Sequence, residues 1–248
     1  MKMTNKKILI SLLAIIGLIG VCYFLLEKPQ NKINPKIKFE EIVNAREQRV
    51  WQALQTIGIS KDIMDECYKK EIKEYQRYDK ALAAKELPKN ILTLIHKTMI
   101  DCNIDPQSVT IAVTNDDSHA TATDSVLYIN KKMFGDLSLE AQQFVLAHEF
   151  AHMHYKDNST TCALDKLMEE KNIPRKKTVD SPRNIFARFK EIRADVRAAL
   201  TSPEYAHAYV CFMQEIIKNF GENGGISHPK SSERLALAQE IEKVLRTA

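Results

Sequence analysis

Turn-forming residues are scarce in this sequence, which contains only 7 glycines and 8 prolines among 248 residues. It has no low-complexity linker and no internal repeat. The runs between turn signals are long and rich in Ala, Glu, Lys, Leu, Arg and Gln, which predicts a mostly helical protein. Because 44% of the residues are hydrophobic, the chain can bury the core of one well-packed domain.

A large excess of one charge is also missing, since the formal net charge is only +4. The lysines are scattered and form no stripe interleaved with aromatic residues. This distribution is typical of solvated helix faces, so the composition does not indicate a nucleic-acid-binding protein.

The cysteines do not identify a redox compartment. The sequence has no C-x-x-C pair, which argues against a zinc site made of thiolates. Outside the first 26 residues, the cysteines are Cys67, Cys102, Cys162 and Cys211. Two disulfides and buried thiols are both compatible with this even number, and the spacing forces no pairing.

One long apolar run lies at the N-terminus. Residues 8–26 contain no charged side chain, and about 20 apolar residues are enough to span a bilayer core as a helix. A short basic tail, residues 1–7, precedes the run, and no A-x-A cleavage pattern follows it. We therefore predict an uncleaved transmembrane signal-anchor. Lysines flank it on both sides, but the tail favours a cytoplasmic N-terminus and a main domain on the periplasmic side of a bacterial inner membrane.

Helical patterns follow the apolar run. Residues 27–35 are predicted to form a polar linker, and residues 36–101 a helical N-terminal segment. Apolar positions at helical spacing predict helices over residues 36–57 and about 60–87. Pro88 suits the first turn of a third helix.

The predicted core domain, residues 102–248, begins with strand signals. The β-branched run 109–114 ends at a cluster of turn residues, and further short strands are predicted over 119–123 and 125–129. Ser138 is a suitable N-cap for the helix that follows. Later helices are predicted over 183–200, 203–220 and 231–245, with a loop at 171–182. A small sheet of three or four strands followed by helices is an α+β pattern.

The helix after Ser138 carries an H-E-x-x-H motif at His148, Glu149 and His152. Histidines four residues apart project from one face of a helix and can bind one Zn²⁺ at about 2.0–2.1 Å. Glu149 is placed to act as general base on a water at the metal. Without a metal, two histidines and a glutamate on a helix with so many apolar neighbours would be costly to bury. The motif therefore favours a metal site over a chance arrangement.

A third ligand is expected from a later helix. Glu191 lies 39 residues after His152 and is followed four residues later by Asp195. We predict that Glu191 completes a His₂Glu site for one zinc ion, and that Asp195 accepts the ring N–H of a ligating histidine. A solvated helix face is the alternative for this carboxylate pair. His154 lies off the face of His152, so it is interpreted as a surface or supporting residue.

Together these motifs resemble those of the gluzincin zinc metallopeptidases, most closely the CAAX-prenyl-protease/HtpX-like family. The resemblance covers roughly residues 105–245. It rests on Val126-Leu127-Tyr128-Ile129-Asn130, Leu137-Ser138-Leu139-Glu140, Glu191-Ile192-Arg193-Ala194-Asp195-Val196-Arg197-Ala198 and His228-Pro229…Arg234. Arg193 departs from the pattern, because the family often has a second acid there. One predicted span also differs from the multi-span members, so the chain is more similar to the compact single-domain relatives.

The resemblance implies a zincin-like fold and a zinc endopeptidase that acts on a polypeptide substrate. The strand around His119, Ala120 and Thr121 would be the sheet edge that holds an extended peptide. His228 would stabilise the oxyanion formed at the attacked carbonyl, and Arg234 would orient that loop or a nearby carboxylate. An ordinary edge strand and an ordinary loop histidine are the alternatives for these positions.

Two other functions fit the sequence. The chain could be a zinc-containing, membrane-tethered binding protein, or a latent enzyme blocked by its own N-terminal helices. It could also be a structural membrane-anchored helical protein without metal. The sequence does not predict an oligomeric state.

Overall fold

The computed structural model describes residues 35–75, 87–174, 178–222, 224–226 and 228–247. The predicted basic tail, the predicted membrane span and nearly all of the predicted linker lie outside these residues. Within the described part of the chain, no helix is both long and apolar enough to cross a membrane. The architecture is α+β, with 71% helix and a small mixed sheet, as the sequence predicts.

Before the sheet, the described residues form the α-helices α1 (Pro35–Gln55), α2 (Lys61–Tyr75) and α3 (Lys89–Asp101). Gly58 separates α1 from α2 with a φ of +72°, a left-handed conformation that glycine adopts at little cost. Pro88 stands immediately before α3, where its missing N–H is not needed. The predicted helices are therefore confirmed over these ranges, and the end of the second one lies outside the described residues.

The sheet has three strands: β1 (Thr110–Thr114), β2 (Ala120–Ala122) and β3 (Val126–Asn130). Their order is β1-β3-β2, with β1 parallel and β2 antiparallel to β3. Strand β2 therefore lies at one edge of the sheet.

The free edge of β2 can be assigned from its hydrogen bonds. The carbonyl of His119 accepts the N–H of Asn130 at 3.0 Å, and the N–H of Thr123 donates to the carbonyl of Val126 at 2.9 Å. In an antiparallel pair, such bonded positions alternate with positions whose backbone groups point away from the partner strand. The outward-pointing groups of β2 consequently belong to Ala120 and Ala122.

Six helices follow β3: α4 (Lys131–Gly135), α5 (Leu139–Tyr155), α6 (Asp157–Glu170), α7 (Pro182–Ala199), α8 (Pro203–Phe220) and α9 (Ser231–Thr247). Ser138 caps α5, because its hydroxyl accepts the Ala141 N–H at 3.2 Å. A single residue, Lys156, separates α5 from α6 with a left-handed φ of 53°. The sequence did not predict α4. It also did not predict α6, since neither Gly nor Pro marks the break at Lys156.

Helix α5 is the centre of the fold and packs against α3, α7, α8 and β2. Its side chains Phe144 and Phe150 are fully buried in the main core, together with Phe39 of α1 and Ile95 of α3. The N-terminal helices therefore share the core of the later domain. A second cluster, around Leu164, forms where α2 packs on α6.

No disulfide joins the four cysteines of the described residues, Cys67, Cys102, Cys162 and Cys211. The structure therefore has thiols at these positions and not the two disulfides that the sequence also allowed. Of these four, Cys67 is buried and the other three are partly buried.

The contact between α2 and α6 can be tested with two leucines. Leu164 of α6 is fully buried, whereas Leu139 of α5 is 63% exposed. We expect Leu164→Ala to lower the free energy of unfolding by about 2–5 kcal/mol, because it leaves a cavity in the core. Leu139→Ala is the matched control and should change it by less than about 0.5 kcal/mol. Urea unfolding of both variants measures the difference, and equal effects would contradict the packing.

Candidate metal centre

The packing of α5 on α7 brings three predicted ligands together. His148 and His152 are one turn apart on α5, and Glu191 faces them from α7. The Nε2 atom of His148 lies 3.0 Å from Nε2 of His152 and 3.5 Å from Oε2 of Glu191. His152 Nε2 lies 3.6 Å from Oε1 of Glu191. This largely buried group could hold a metal ion.

The distances fit a tetrahedral ion. Ligand atoms about 2.0–2.1 Å from a common tetrahedral centre are separated by about 3.3 Å, a value between the shortest and longest of the three distances. The two Nε2 atoms also face each other across the site. Because the other ring nitrogen of each histidine is hydrogen-bonded to a carboxylate, these lone pairs need either a proton or a cation between them.

Asp195 orients His148. Its Oδ1 accepts from Nδ1 of His148 at 2.8 Å, and its Oδ2 accepts from the Tyr209 hydroxyl at 2.6 Å. Arg234 donates to both carboxylate oxygens at 2.7 Å. Burial opposes ionisation of Asp195, but the Arg234 charge and the His148 hydrogen bond outweigh it and lower the pKa of Asp195. The carboxylate is therefore ionised and fixes the His148 ring.

Asp157 orients the ring of His152 in the same way. Its Oδ2 lies 2.7 Å from Nδ1 of His152, and its Oδ1 accepts a hydrogen bond from Arg193. The Arg193 guanidinium stacks on the Tyr155 ring, 3.9 Å from the ring centroid. Sequence reasoning missed Asp157, and it treated Arg193 only as a departure from the family pattern. Asp157 faces back towards His152 because the chain turns at Lys156.

The carboxylates around His148 make this histidine bind a proton strongly. Burial alone would lower the pKa of His148, but hydrogen bonds and charges from Asp195 and Glu191 raise it to about 10. Burial opposes ionisation of Glu191, but the hydrogen bond and charge of His148, together with the charges of His152 and His228, outweigh it and hold the pKa of Glu191 far below its usual range. A cation at the site would replace this proton.

Glu149 lies between the ligand group and the sheet edge. Its Oε2 accepts the N–H of Ala122 at 2.7 Å, one of the outward-pointing groups of β2. Burial raises the pKa of Glu149, while the charges of His152 and His148 oppose that rise. A carboxylate with a raised pKa is suited to accepting and returning a proton.

His228 reaches the centre from the loop before α9. Its side chain is 57% exposed, and its Nε2 lies 3.8 Å from Oε1 of Glu191. The loop is held by Arg188, which lies one turn before Glu191 on α7. Arg188 donates to the carbonyl of His228 at 2.9 Å and to that of Gly225 at 3.4 Å, and it pairs with Glu233 at 3.3 Å. No local pattern in the sequence marks Arg188, because its partners lie 37 or more residues later.

The remaining predicted positions lie along β2. The His119 ring packs edge-on against Phe220, the last residue of α8, with the ring centroids 6.4 Å apart. The Thr121 hydroxyl is 2.9 Å from that of Ser118. The backbone groups of Ala120, like those of Ala122, point away from β3, and the Ala120 carbonyl accepts the Thr121 hydroxyl at 2.9 Å. His154 is exposed.

The role of Asp157 can be tested with two aspartates of α6. We expect Asp157→Asn to weaken zinc binding by about 10–100-fold, since it loses the charge that orients His152. Asp165→Asn is the matched control, because Asp165 also pairs with an arginine, Arg183 at 2.6 Å, but contacts no ligand. Competition with a chromophoric chelator measures both affinities. Equal weakening in the two variants would count against this role.

Comparisons of the chain with family models, with curated proteins and with solved structures found no match. The candidate centre therefore rests on its own geometry.

Proposed function

We propose that this protein is a membrane-anchored, zinc-dependent endopeptidase. The observation that carries the proposal is the position of Glu149. It directly follows the ligand His148 in the chain, and its carboxylate bonds to the free edge of β2. This position, between a group that could hold a metal ion and an edge strand, supports the assignment of Glu149 as the general base.

Zinc is the proposed metal because two imidazoles and one carboxylate are a common catalytic zinc set. Zinc bound there would polarise the substrate carbonyl and lower the pKa of a water to about 7. The anchored rings of His148 and His152 keep their Nε2 atoms aimed at the ion. The membrane anchor in the proposal is the predicted span at residues 8–26.

The substrate is proposed to be an extended polypeptide that pairs with β2. Ala120 and Ala122 offer the outward backbone groups, and His119 and Thr121 flank the place where a peptide would lie. The incoming peptide competes with Glu149 for the N–H of Ala122. Binding of the substrate therefore releases the Glu149 carboxylate, which can then act as a base.

Glu149 then accepts a proton from the attacking water and passes it to the nitrogen of the leaving amine. His228 donates a hydrogen bond to the oxyanion that develops on the attacked carbonyl. Arg188 holds the backbone of His228, so it positions this donor without contacting substrate. Asp195 and Arg234 keep His148 in the orientation that ligation needs.

The packing of the N-terminal helices argues against the alternative of a latent enzyme that becomes active when residues 36–100 are removed. Phe39 and Ile95 belong to the same core cluster as Phe144 of the metal helix. Removing that segment would open the core, so we expect it to unfold the protein and not to activate it.

The general-base role is tested by Glu149→Gln in the full-length chain, purified in mild detergent and loaded with zinc. We expect casein hydrolysis to fall by about 10²–10⁴-fold while one zinc is retained, because the amide cannot accept the proton. The control is Glu170→Gln, a change at an exposed position of α6 that should leave both unchanged. A wild-type protein that binds zinc without turnover favours the binding-protein function, and a folded protein without zinc contradicts the proposal.

The role of Arg188 is tested with a double-mutant cycle. We expect Arg188→Gln and His228→Ala each to lower kcat more than they change KM, since both remove stabilisation of the transition state. The double variant should be no slower than His228→Ala, because Arg188 acts through His228. Independent, multiplying losses would show that Arg188 acts elsewhere.

A further inference from the structure

A second pair of metal-ligating side chains lies on the outer surface of α8. His207 and Cys211 are four residues apart on this helix, so they stand one turn above each other. Nε2 of His207 and Sγ of Cys211 are 3.6 Å apart. Neither residue takes part in the centre formed by α5 and α7.

This separation equals that of two ligands on one tetrahedral zinc. With Zn–N about 2.0–2.1 Å and Zn–S about 2.3 Å, a nitrogen and a sulfur on the same tetrahedral ion lie about 3.6 Å apart. The two side chains can therefore bind one ion without leaving their present positions.

Glu242 of α9 fixes the histidine in the required tautomer. Its carboxylate lies 2.7 Å from Nδ1 of His207 and is itself paired with Arg246 at 2.6 Å. Arg246 also lies 3.2 Å from Nδ1, where it would donate to an unprotonated nitrogen, but the Glu242 carboxylate is closer and can only accept, so Nδ1 carries the proton. The lone pair on Nε2 then points towards Cys211. A carboxylate behind the ring is the usual support of a ligating histidine.

The pair is accessible and lies in a negative field. The His207 side chain is 49% exposed. Burial and the carboxylates of Glu140, Glu242 and Glu215 raise the pKa of the Cys211 thiol. The negative charges that disfavour a free thiolate also attract a cation. A cation that binds the sulfur displaces the thiol proton and stabilises the thiolate.

We propose that His207 and Cys211 form a second metal site, for a borderline-soft divalent cation of the zinc and cadmium class. Imidazole nitrogen and thiolate sulfur select this class over magnesium or calcium. Water fills the remaining coordination positions on the exposed side. The site is independent of the proposed peptidase activity.

The Cys211–His207–Glu242 order also matches that of a nucleophilic thiol triad. A nucleophile of this kind needs a lowered thiol pKa and a donor for the developing oxyanion. Here the thiol pKa is raised, and Cys211 stands inside a helix whose backbone N–H groups are already bonded. The environment therefore favours metal binding.

The test is titration of the reduced, full-length protein with cadmium, followed by the ultraviolet charge-transfer band of the cadmium–thiolate bond. The variants are Cys211→Ser and His207→Gln, and Cys162→Ser is the matched control at another partly buried cysteine. We expect a saturable band in the wild type and the control, its complete loss in Cys211→Ser, and at least about a tenfold weaker affinity in His207→Gln. Zinc should compete for the band.

Persistence of the band in Cys211→Ser, or its absence from the wild type, would overturn the proposal. An unchanged affinity in His207→Gln would also overturn it, because the thiol would then bind alone. Casein hydrolysis by Cys211→Ser should equal that of the wild type. Since the band is read without substrate, failure of the peptidase proposal leaves this result intact.

Discussion

The fully buried carboxylate of Asp195 holds four helices together. It lies on α7 and accepts hydrogen bonds from His148 of α5, Tyr209 of α8 and Arg234 of α9. A buried charge is tolerated only when it is paired and fully hydrogen-bonded, and removing one partner costs about 3–5 kcal/mol. The packing of these helices and the orientation of the His148 ring therefore depend on one network.

The two histidines of the candidate metal centre are supported in parallel ways. Each ring nitrogen that faces away from the site meets an aspartate, and each aspartate meets an arginine. Arg193 thus has a structural reason to stand where the resembled family often has an acid: it neutralises Asp157. Stacking of Phe144 on Tyr209, with centroids 4.3 Å apart, adds apolar contact beside the Asp195 network.

The sequence predicts the parts of the site that repeat at helical spacing. His148 and His152, and likewise Glu191 and Asp195, are pairs four residues apart, so each pair is visible without a structure. Asp157 and Arg188 are different. Asp157 reaches His152 only because the chain turns at Lys156, a residue that rarely marks a left-handed position, and Arg188 contacts a loop far along the chain. The three strands and most helix ends followed from residue type. Helix α4 was missed although Asn130, a common N-cap residue, caps its start, and α6 was missed because Lys156 carries no turn signal.

The short edge strand β2 also offers little surface on which another copy of the protein could extend the sheet. An exposed edge is a template on which a strand from a neighbouring molecule can extend the sheet, and such growth leads to aggregation. Here the edge is only three residues long, and the N–H of Ala122 is already bonded to Glu149. A neighbouring strand would have to displace a charged side chain to gain very few hydrogen bonds. The Glu149 carboxylate thus also occupies a backbone group through which the sheet could extend.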